Sequence, residues 1–473
     1  MKRTSVFTAM RIGSAMLLVA GVLSLASAAQ QPKPRPAAPP HPTPHPIPHP
    51  SSPRVPPGSN TSVEPFHPSS PPEHPSTNRP PLARGVNERV APDGGTIRSH
   101  ANGRPSEIHD PRRGMTVQHG LNGGHRVMVE RPDHSRIFAA RGRAGFVQHP
   151  YSYHGHDFAV RTYVFGGHTY GRFYMGYPYH GVYLHVYAPG FYYSPLFYGW
   201  LYYPWTPFSY GWGWAGDPWY GYYGYYFAPS PVYPSATLWL TDYLISSDLQ
   251  AAYQAQTDGG EVDGAPSADA DATVLTPEIK QQIADEVKNQ LALESLESQQ
   301  VTQKQDIDPG SSGLDRIFND AAKGRQHIFV VSGALDVVDA AQNECSLSDG
   351  DVLVLQSAPP PDSTSASLLV LASKGGQECQ KEDTVTVPLS DLQEMQNKMR
   401  ETIDQGLQKL QSDQGKNGIP AMPASVPTQT TQAPYATVAP PPDPDAAAEI
   451  QQQAQQADQM EKDVTAPSGP GEE

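Results

Sequence analysis

Arg126-Val127-Met128-Val129-Glu130, then Arg131-Pro132-Asp133-His134-Ser135, then Arg136-Ile137-Phe138-Ala139: two short alternating runs lie on either side of a Pro-Asp turn. Alternation over a handful of residues, broken by turn-forming residues, is the pattern of an antiparallel strand pair with one buried face. The same texture extends from Arg84 to about Tyr187. Further runs are Thr96–Ser99, Ser106–His109, Met115–Gln118, Phe146–His149, Phe158–Phe165, Thr169–Met175 and Val182–Tyr187. Turn signals separate them at Asp93-Gly94-Gly95, Asn102-Gly103, Asp110-Pro111, Asn122-Gly123-Gly124 and Gly166-Gly167. Strands at this close spacing predict an antiparallel meander over residues 84–187.

The end of that meander runs into a block of rings. Between Tyr151 and Pro234, 33 of 84 residues are aromatic, and only Asp157, Arg161, Arg172 and Asp217 are charged. From Tyr198 to Tyr226 alternation is lost, as in Tyr210-Gly211-Trp212-Gly213-Trp214 and Trp219-Tyr220-Gly221-Tyr222-Tyr223-Gly224-Tyr225-Tyr226. Glycine and proline oppose long regular elements. Residues 188–234 are therefore expected to form a Tyr/Gly/Trp-rich segment that shows many rings to solvent. The candidate binding surface is Tyr210, Trp212, Trp214, Trp219, Tyr220, Tyr222, Tyr223, Tyr225 and Tyr226.

Beyond the block, residues 235–300 read as helical with a Gly/Asp/Ala linker at 258–272. Leu238, Trp239, Leu240, Tyr243, Leu244, Leu249 and Tyr253 make a broad apolar stripe. Thr276-Pro277-Glu278 opens a second helix with a cap, a proline at the first position and an acid in the first turn. Residues 313–412 read as a small α+β domain. Its runs are Ile328–Ser332, Leu335–Val338, Val352–Gln356, Ser367–Ala372 and Thr384–Val387, followed by a helix that Ser390 and Gln393 are expected to open as a capping box. From 413 to 473 Pro, Gln and Ala dominate, the composition of a disordered tail. The predicted fold class is mixed: an antiparallel β-meander with an aromatic low-complexity segment, then helices and a small α+β domain, with disordered termini.

The N-terminus carries an address. Lys2, Arg3 and Arg11 precede the apolar stretch Ile12–Leu25, and Ala26-Ser27-Ala28 offers small residues for cleavage, so residues 1–28 are expected to be a signal peptide. Residues 29–82 hold 20 prolines and several histidines, a composition that excludes helix and sheet and predicts an extended, disordered stalk. Cys345 and Cys379 are the chain's two cysteines, and in an exported protein such a pair predicts one disulfide. Localisation is expected in the periplasm, the outer envelope or outside the cell.

Charge divides as the texture does. Residues 29–234 carry 17 Lys/Arg against ten Asp/Glu, a net of +7, while residues 235–473 carry 13 against 38, a net of −25. A basic, aromatic front and an acidic back suggest three partners for the front: anionic polysaccharide, other wall polymers, or the molecule's own acidic half. No nucleic-acid motif is present, and an exported chain rarely meets nucleic acid.

Two resemblances accompany these residues. Asn102-Gly103-Arg104 followed by Glu107-Ile108-His109-Asp110, within residues 93–140, resembles the tyrosine–aspartate repeats of Rhs-type secreted proteins, though without their regular Tyr/Asp spacing; it implies meander geometry and no activity. The Tyr-x-Trp-Gly texture of about 30 residues is similar to low-complexity segments of uncharacterised exported bacterial proteins and brings no catalytic residues with it.

The most metal-like cluster is His154-Gly155-His156-Asp157, two histidines at i,i+2 beside a carboxylate. Against it stands the number of histidines in this half of the chain, which makes a chance His-x-His ordinary. No nucleophile elbow, zinc-protease helix or phosphate-binding glycine loop occurs. The chain is thus expected to be a non-enzymatic envelope or extracellular protein without a cofactor, using its aromatic segment for self-association or attachment to envelope polymers. A carbohydrate- or peptidoglycan-binding module is the alternative, followed by an enzyme with an unrecognised site. A peripheral membrane contact through the rings is also consistent with the composition.

Overall fold

The computed structural model describes residues 82–91, 94–258, 272–375 and 378–465. The expected signal peptide at 1–28, nearly all of the 29–82 stalk and most of the 258–272 linker lie outside the described residues.

Ten strands open the fold. They are β1 (Asn87–Val90), β2 (Thr96–Ser99), β3 (Pro105–Asp110), β4 (Met115–His119), β5 (His125–Glu130), β6 (Arg136–Ala140), β7 (Gly145–Tyr153), β8 (His156–Phe165), β9 (His168–Tyr179) and β10 (Val182–Ala188). Each pairs antiparallel with the next, in registers such as Val127↔Ala139 and Val160↔Phe173, so the sheet is the expected meander. Alternation sends Ile97, Ile108, Val117, Val127, Val129, Ile137 and Val147 into one buried cluster. β1 is exposed along its whole length and has no burial pattern that a sequence could display.

The aromatic block follows as β11 (Phe191–Tyr192), α1 (Pro195–Tyr202) and α2 (Pro218–Tyr223). Its prolines start helices instead of preventing them. Pro195 and Pro218 occupy first-turn positions, and Ser194 caps α1 by accepting from Phe197 N at 3.3 Å. This corrects the expectation of an irregular, solvent-facing segment. Phe197, Tyr198, Trp200, Trp205, Trp219, Tyr223, Tyr226, Phe227 and Tyr233 are buried in the core that α3 (Ala236–Asp258) and α4 (Pro277–Thr302) help to build. Two of the phenols there find acceptors: Tyr226 Oη donates to Gly350 O at 2.7 Å, and Tyr233 Oη donates to Asp242 at 2.6 Å. As expected, Thr276 caps α4, accepting from Ile279 N.

Two short helices, α5 (Pro309–Ser312) and α6 (Leu314–Ala321), lead to β12 (His327–Val330), β13 (Leu335–Asp339), β14 (Glu344–Leu347), β15 (Val352–Leu355), β16 (Ser365–Ala372) and β17 (Thr384–Pro388). These form one antiparallel sheet in the order β12-β15-β16-β17-β13-β14. Both faces are covered. Ile328, Val330, Val352 and Val354 pack with the aromatic core, while Phe329, Val331, Leu353 and Leu355 pack with α6 and the start of α7 (Leu389–Asp413). Cys345 on β14 is bonded to Cys379. The capping box at Ser390 and Gln393 is not used: α7 begins at Leu389, and Gln393 instead accepts from Leu314 N at 3.2 Å, joining α7 to α6.

The tail is the largest correction. Beyond α7 come β18 (Thr431–Gln432), which pairs with β11, then α8 (Pro434–Val438) and α9 (Ala446–Thr465). Ala446, Ala457 and Met460 of α9 are buried against the meander's apolar face, with Ile450, Ala454 and Val464 beside them. Small and apolar residues spaced at three and four supply a narrow helical stripe, which the surrounding Gln and Ala hide in composition. Residues 413–465 are therefore folded, and the expected disorder holds for none of them.

Among the described residues, the parts expected to be separate units belong to one compact unit. The acidic back is folded onto the basic front. Arg161 is paired with Glu394 by two bonds of 2.7 and 2.6 Å, His149 with Asp443 at 2.6 Å, and His100 with Glu344 at 2.9 Å, while Arg143 meets Asp349. α7 also completes the open edge of β10. Asn397 accepts from Tyr187 N at 2.8 Å and donates to His185 O at 2.7 Å, and Arg400 donates to Tyr187 O at 3.0 Å.

Candidate functional site

The meander curls so that β10 meets β7 across the intervening hairpin. This is visible in the 2.9 Å approach of His185 Nε2 to Gln148 Nε2, and in Tyr183 stacking on His134 at 4.0 Å with an interplanar angle of 5°. Inside the curl is a cavity of about 300 Å³, at the lower end of small-molecule sites. Its lining includes Asp133, His134, Tyr151, Asp157, Tyr183 and His185.

Each wall is held by specific contacts. Tyr183 Oη donates to Asp157 Oδ2 at 2.9 Å. Its ring lies over Gly176, where a Cβ would come within 2.4 Å of the phenol oxygen, so only glycine leaves room for this packing. Tyr151 donates to Tyr435 O at 3.1 Å, and Phe158 stacks on the Tyr435 ring at 4.9 Å, so the C-terminal segment backs the apolar wall. Asp133 accepts from the Ser135 hydroxyl and N–H, bonds that hold its carboxyl below the usual range and keep it ionised.

His185 is the cavity's distinctive group. A chain of obligatory roles fixes its tautomer. The guanidinium of Arg161 can only donate, so Gln148 Oε1 accepts from Arg161 Nε at 2.8 Å. The Gln148 amide nitrogen must then donate, and it does so to His134 O at 3.0 Å and to His185 Nε2. Nε2 is therefore the acceptor, and in the neutral ring the proton resides on Nδ1. Burial, with Arg136 and Arg161 nearby, pushes His185 well below the ordinary histidine pKa, so the ring is neutral at physiological pH. Nδ1 is buried and has no hydrogen-bond partner. A buried donor left unmade costs about 1–3 kcal/mol.

The residues singled out from sequence are distributed differently. Of the nine candidate surface rings, Trp219, Tyr223 and Tyr226 are buried, and Tyr210, Trp212, Trp214, Tyr220, Tyr222 and Tyr225 are half-buried. Trp212 stacks on Trp214 and Trp239, at 4.4 and 4.9 Å, and donates to Tyr233 Oη at 2.7 Å, so even the half-buried rings are engaged inward.

The His154-His156-Asp157 cluster does not converge. His154 lies in the β7–β8 turn at φ 49° and pairs with Asp306 at 2.8 Å, so it shares no strand face with His156. His156 is exposed, and Asp157 alone of the three lines the cavity. The group of three metal-type donors found among the described residues is elsewhere, at His119, His125 and Glu461.

His185, His134, Tyr183 and Gln148 were not singled out from sequence. The available signal was a histidine at an interior position of a strand, flanked at two-residue spacing by Tyr183 and Tyr187. Among the described residues no helix is long and apolar enough to cross a membrane. Compared with known proteins, the chain matches no family model, no curated protein and no solved structure.

Proposed function

We propose that the protein is an exported, non-enzymatic binding protein whose ligand site is the His185 cavity, and that the ligand is an uncharged sugar ring such as those of envelope polysaccharide. The observation that carries this reading is the cavity of about 300 Å³ that His185, whose Nδ1–H has no partner within the protein, helps to line. Its donor role is set by Arg161 and Gln148 before any ligand arrives. Around it stand two carboxylates, Asp133 and Asp157, and the rings of Tyr151, Phe158 and Tyr183. Carboxylates accept from sugar hydroxyls, and ring faces suit sugar C–H faces. The same carboxylates would repel an anionic ligand, which argues against anionic polysaccharide at this position. Both are also committed to holding the walls, an arrangement that supports binding over acid–base catalysis. Export is supported by the N-terminal Lys/Arg, apolar and Ala-Ser-Ala pattern together with the disulfide.

Calorimetric titration of the mature protein with N-acetylglucosamine and with soluble peptidoglycan fragments tests the proposal. Saturable binding is expected, reduced roughly tenfold in His185→Phe, about the worth of one hydrogen bond. Asp157→Asn, which keeps the Tyr183 contact, should weaken it as well. Saccharide binding that persists unchanged in both variants, or no binding at millimolar sugar, contradicts the assignment. Self-association retains one observation in its favour, because Leu196 and Tyr203 at the ends of α1 are 57% and 72% exposed. It would show as sedimentation that depends on protein concentration and is lost in Tyr203→Ser.

A further inference from the structure

We propose that His119, His125 and Glu461 form a binding site for a divalent transition metal of the zinc class, which clamps α9 onto the meander. His119 and His125 are directly opposed partners at the turn end of the β4–β5 hairpin, and Glu461 reaches them from the last two turns of α9. His125 Nε2 is 2.9 Å and His119 Nε2 is 3.2 Å from the same oxygen, Glu461 Oε1. The three donor atoms all lie within 4.8 Å of one another. Ligands about 2.0–2.2 Å from a tetrahedral zinc ion are separated by roughly 3.3 Å, so small side-chain adjustments would admit the ion. The two imidazoles are inclined by 50° with centroids 4.9 Å apart, an approach from two directions rather than a stack.

Two imidazoles and one carboxylate form a donor set for Zn²⁺, Ni²⁺ or Cu²⁺ and a poor one for Ca²⁺ or Mg²⁺, which prefer oxygen. All three residues are half-buried, so water can complete the fourth position. The hairpin is fixed independently of Glu461. Leu121 N donates to Asp336 at 2.9 Å, and His100 bonds His119 O at 2.9 Å while its other nitrogen meets Glu344 at 2.9 Å. The end of the hairpin that carries His119 is thus tied to the second sheet, through His100 and Leu121, by contacts that do not involve α9.

Without an ion, the same geometry is two N–H groups donating to one carboxylate oxygen, and experiment separates the two readings. The mature full-length chain is stripped with EDTA and titrated with ZnCl₂, while amide hydrogen exchange is followed over residues 446–465. One Zn²⁺ equivalent is expected to slow exchange in α9, and Mg²⁺ at the same concentration is expected to leave it unchanged. Glu461→Gln, which preserves an acceptor oxygen and the helix, should weaken that equivalent at least tenfold and abolish the zinc-dependent protection. His119→Ala/His125→Ala should do the same. Because the readout is the zinc-dependent difference in α9, metal held elsewhere on the chain does not register. If zinc leaves α9 exchange unchanged in the native chain, or protects it equally in the variants, the site is a hydrogen-bonded triad and the proposal fails.

Discussion

A chain ended at Pro440 is expected to lose on the order of 5 kcal/mol of stability and to unfold well below the full-length protein in temperature or denaturant. A fully buried large side chain contributes about 1.5–3 kcal/mol. Removing α9 takes Met460, Ile450 and Val464 away from the sheet and returns Val127, Val129, Ile137 and Val147 to water on the other side. Ordinary folded proteins have only about 5–15 kcal/mol in total, so the loss is a large share. The uncovered strands β4–β7 would also present an apolar face for association. Thermal unfolding of the truncated and intact chains at equal concentration checks this. An unchanged transition would mean that α9 does not hold the meander.

The second large effect is expected from Glu394→Ala. Arg161 is 1% exposed, lies over the rings of Tyr174 and Phe146 at 3.8 and 4.5 Å, and takes its counter-charge from Glu394. Removing one partner of a buried pair leaves an uncompensated charge and costs about 3–5 kcal/mol. The Glu394 side chain is 42% exposed, so water can partly replace it, and the lower end of that range is expected. Adding Arg161→Met should recover part of the loss, because the stranded charge is then gone. Urea titrations of the single and double variants give the comparison. If the double variant is less stable than the single by a further full increment, the two residues act independently and the pairing has been misassigned.

What could be read from sequence depended on whether the chemistry was local. Strands such as Arg136–Ala140 and helices such as Pro277–Thr302 carry their burial pattern and end signals within a few residues. β14, with Glu344 and Cys345 directly after a turn, has no run of alternation to detect. The aromatic block misled because proline was given only its helix-breaking role, whereas Pro195 and Pro218 occupy positions where a missing N–H costs nothing. Its rings also required a partner layer, and that layer is α3, α4, α7 and the second sheet, distant in sequence. α9 was hidden for the opposite reason. Ala446, Ala454 and Ala457 are too small to raise the hydrophobicity of a Gln-rich stretch, although small residues allow close approach to a sheet. The charge partition did indicate that the two halves suit each other, but not which residues would pair. The cavity draws Asp133, Tyr151, Asp157 and His185 from separate strands and a turn, and only Asp157 stood in a cluster visible along the chain.

The fold requires the aromatic block to be the shared interior of one folded unit. Hydroxyl-radical footprinting of the native protein, read by mass spectrometry, measures this ring by ring. Tyr198, Trp219, Tyr223 and Tyr226, all at most 6% exposed, should be protected as strongly as Trp239, while Tyr203 in the same stretch, at 72%, should react rapidly. Reaction of those four residues at the rate of Tyr203 would place the block on the surface and contradict the fold described here.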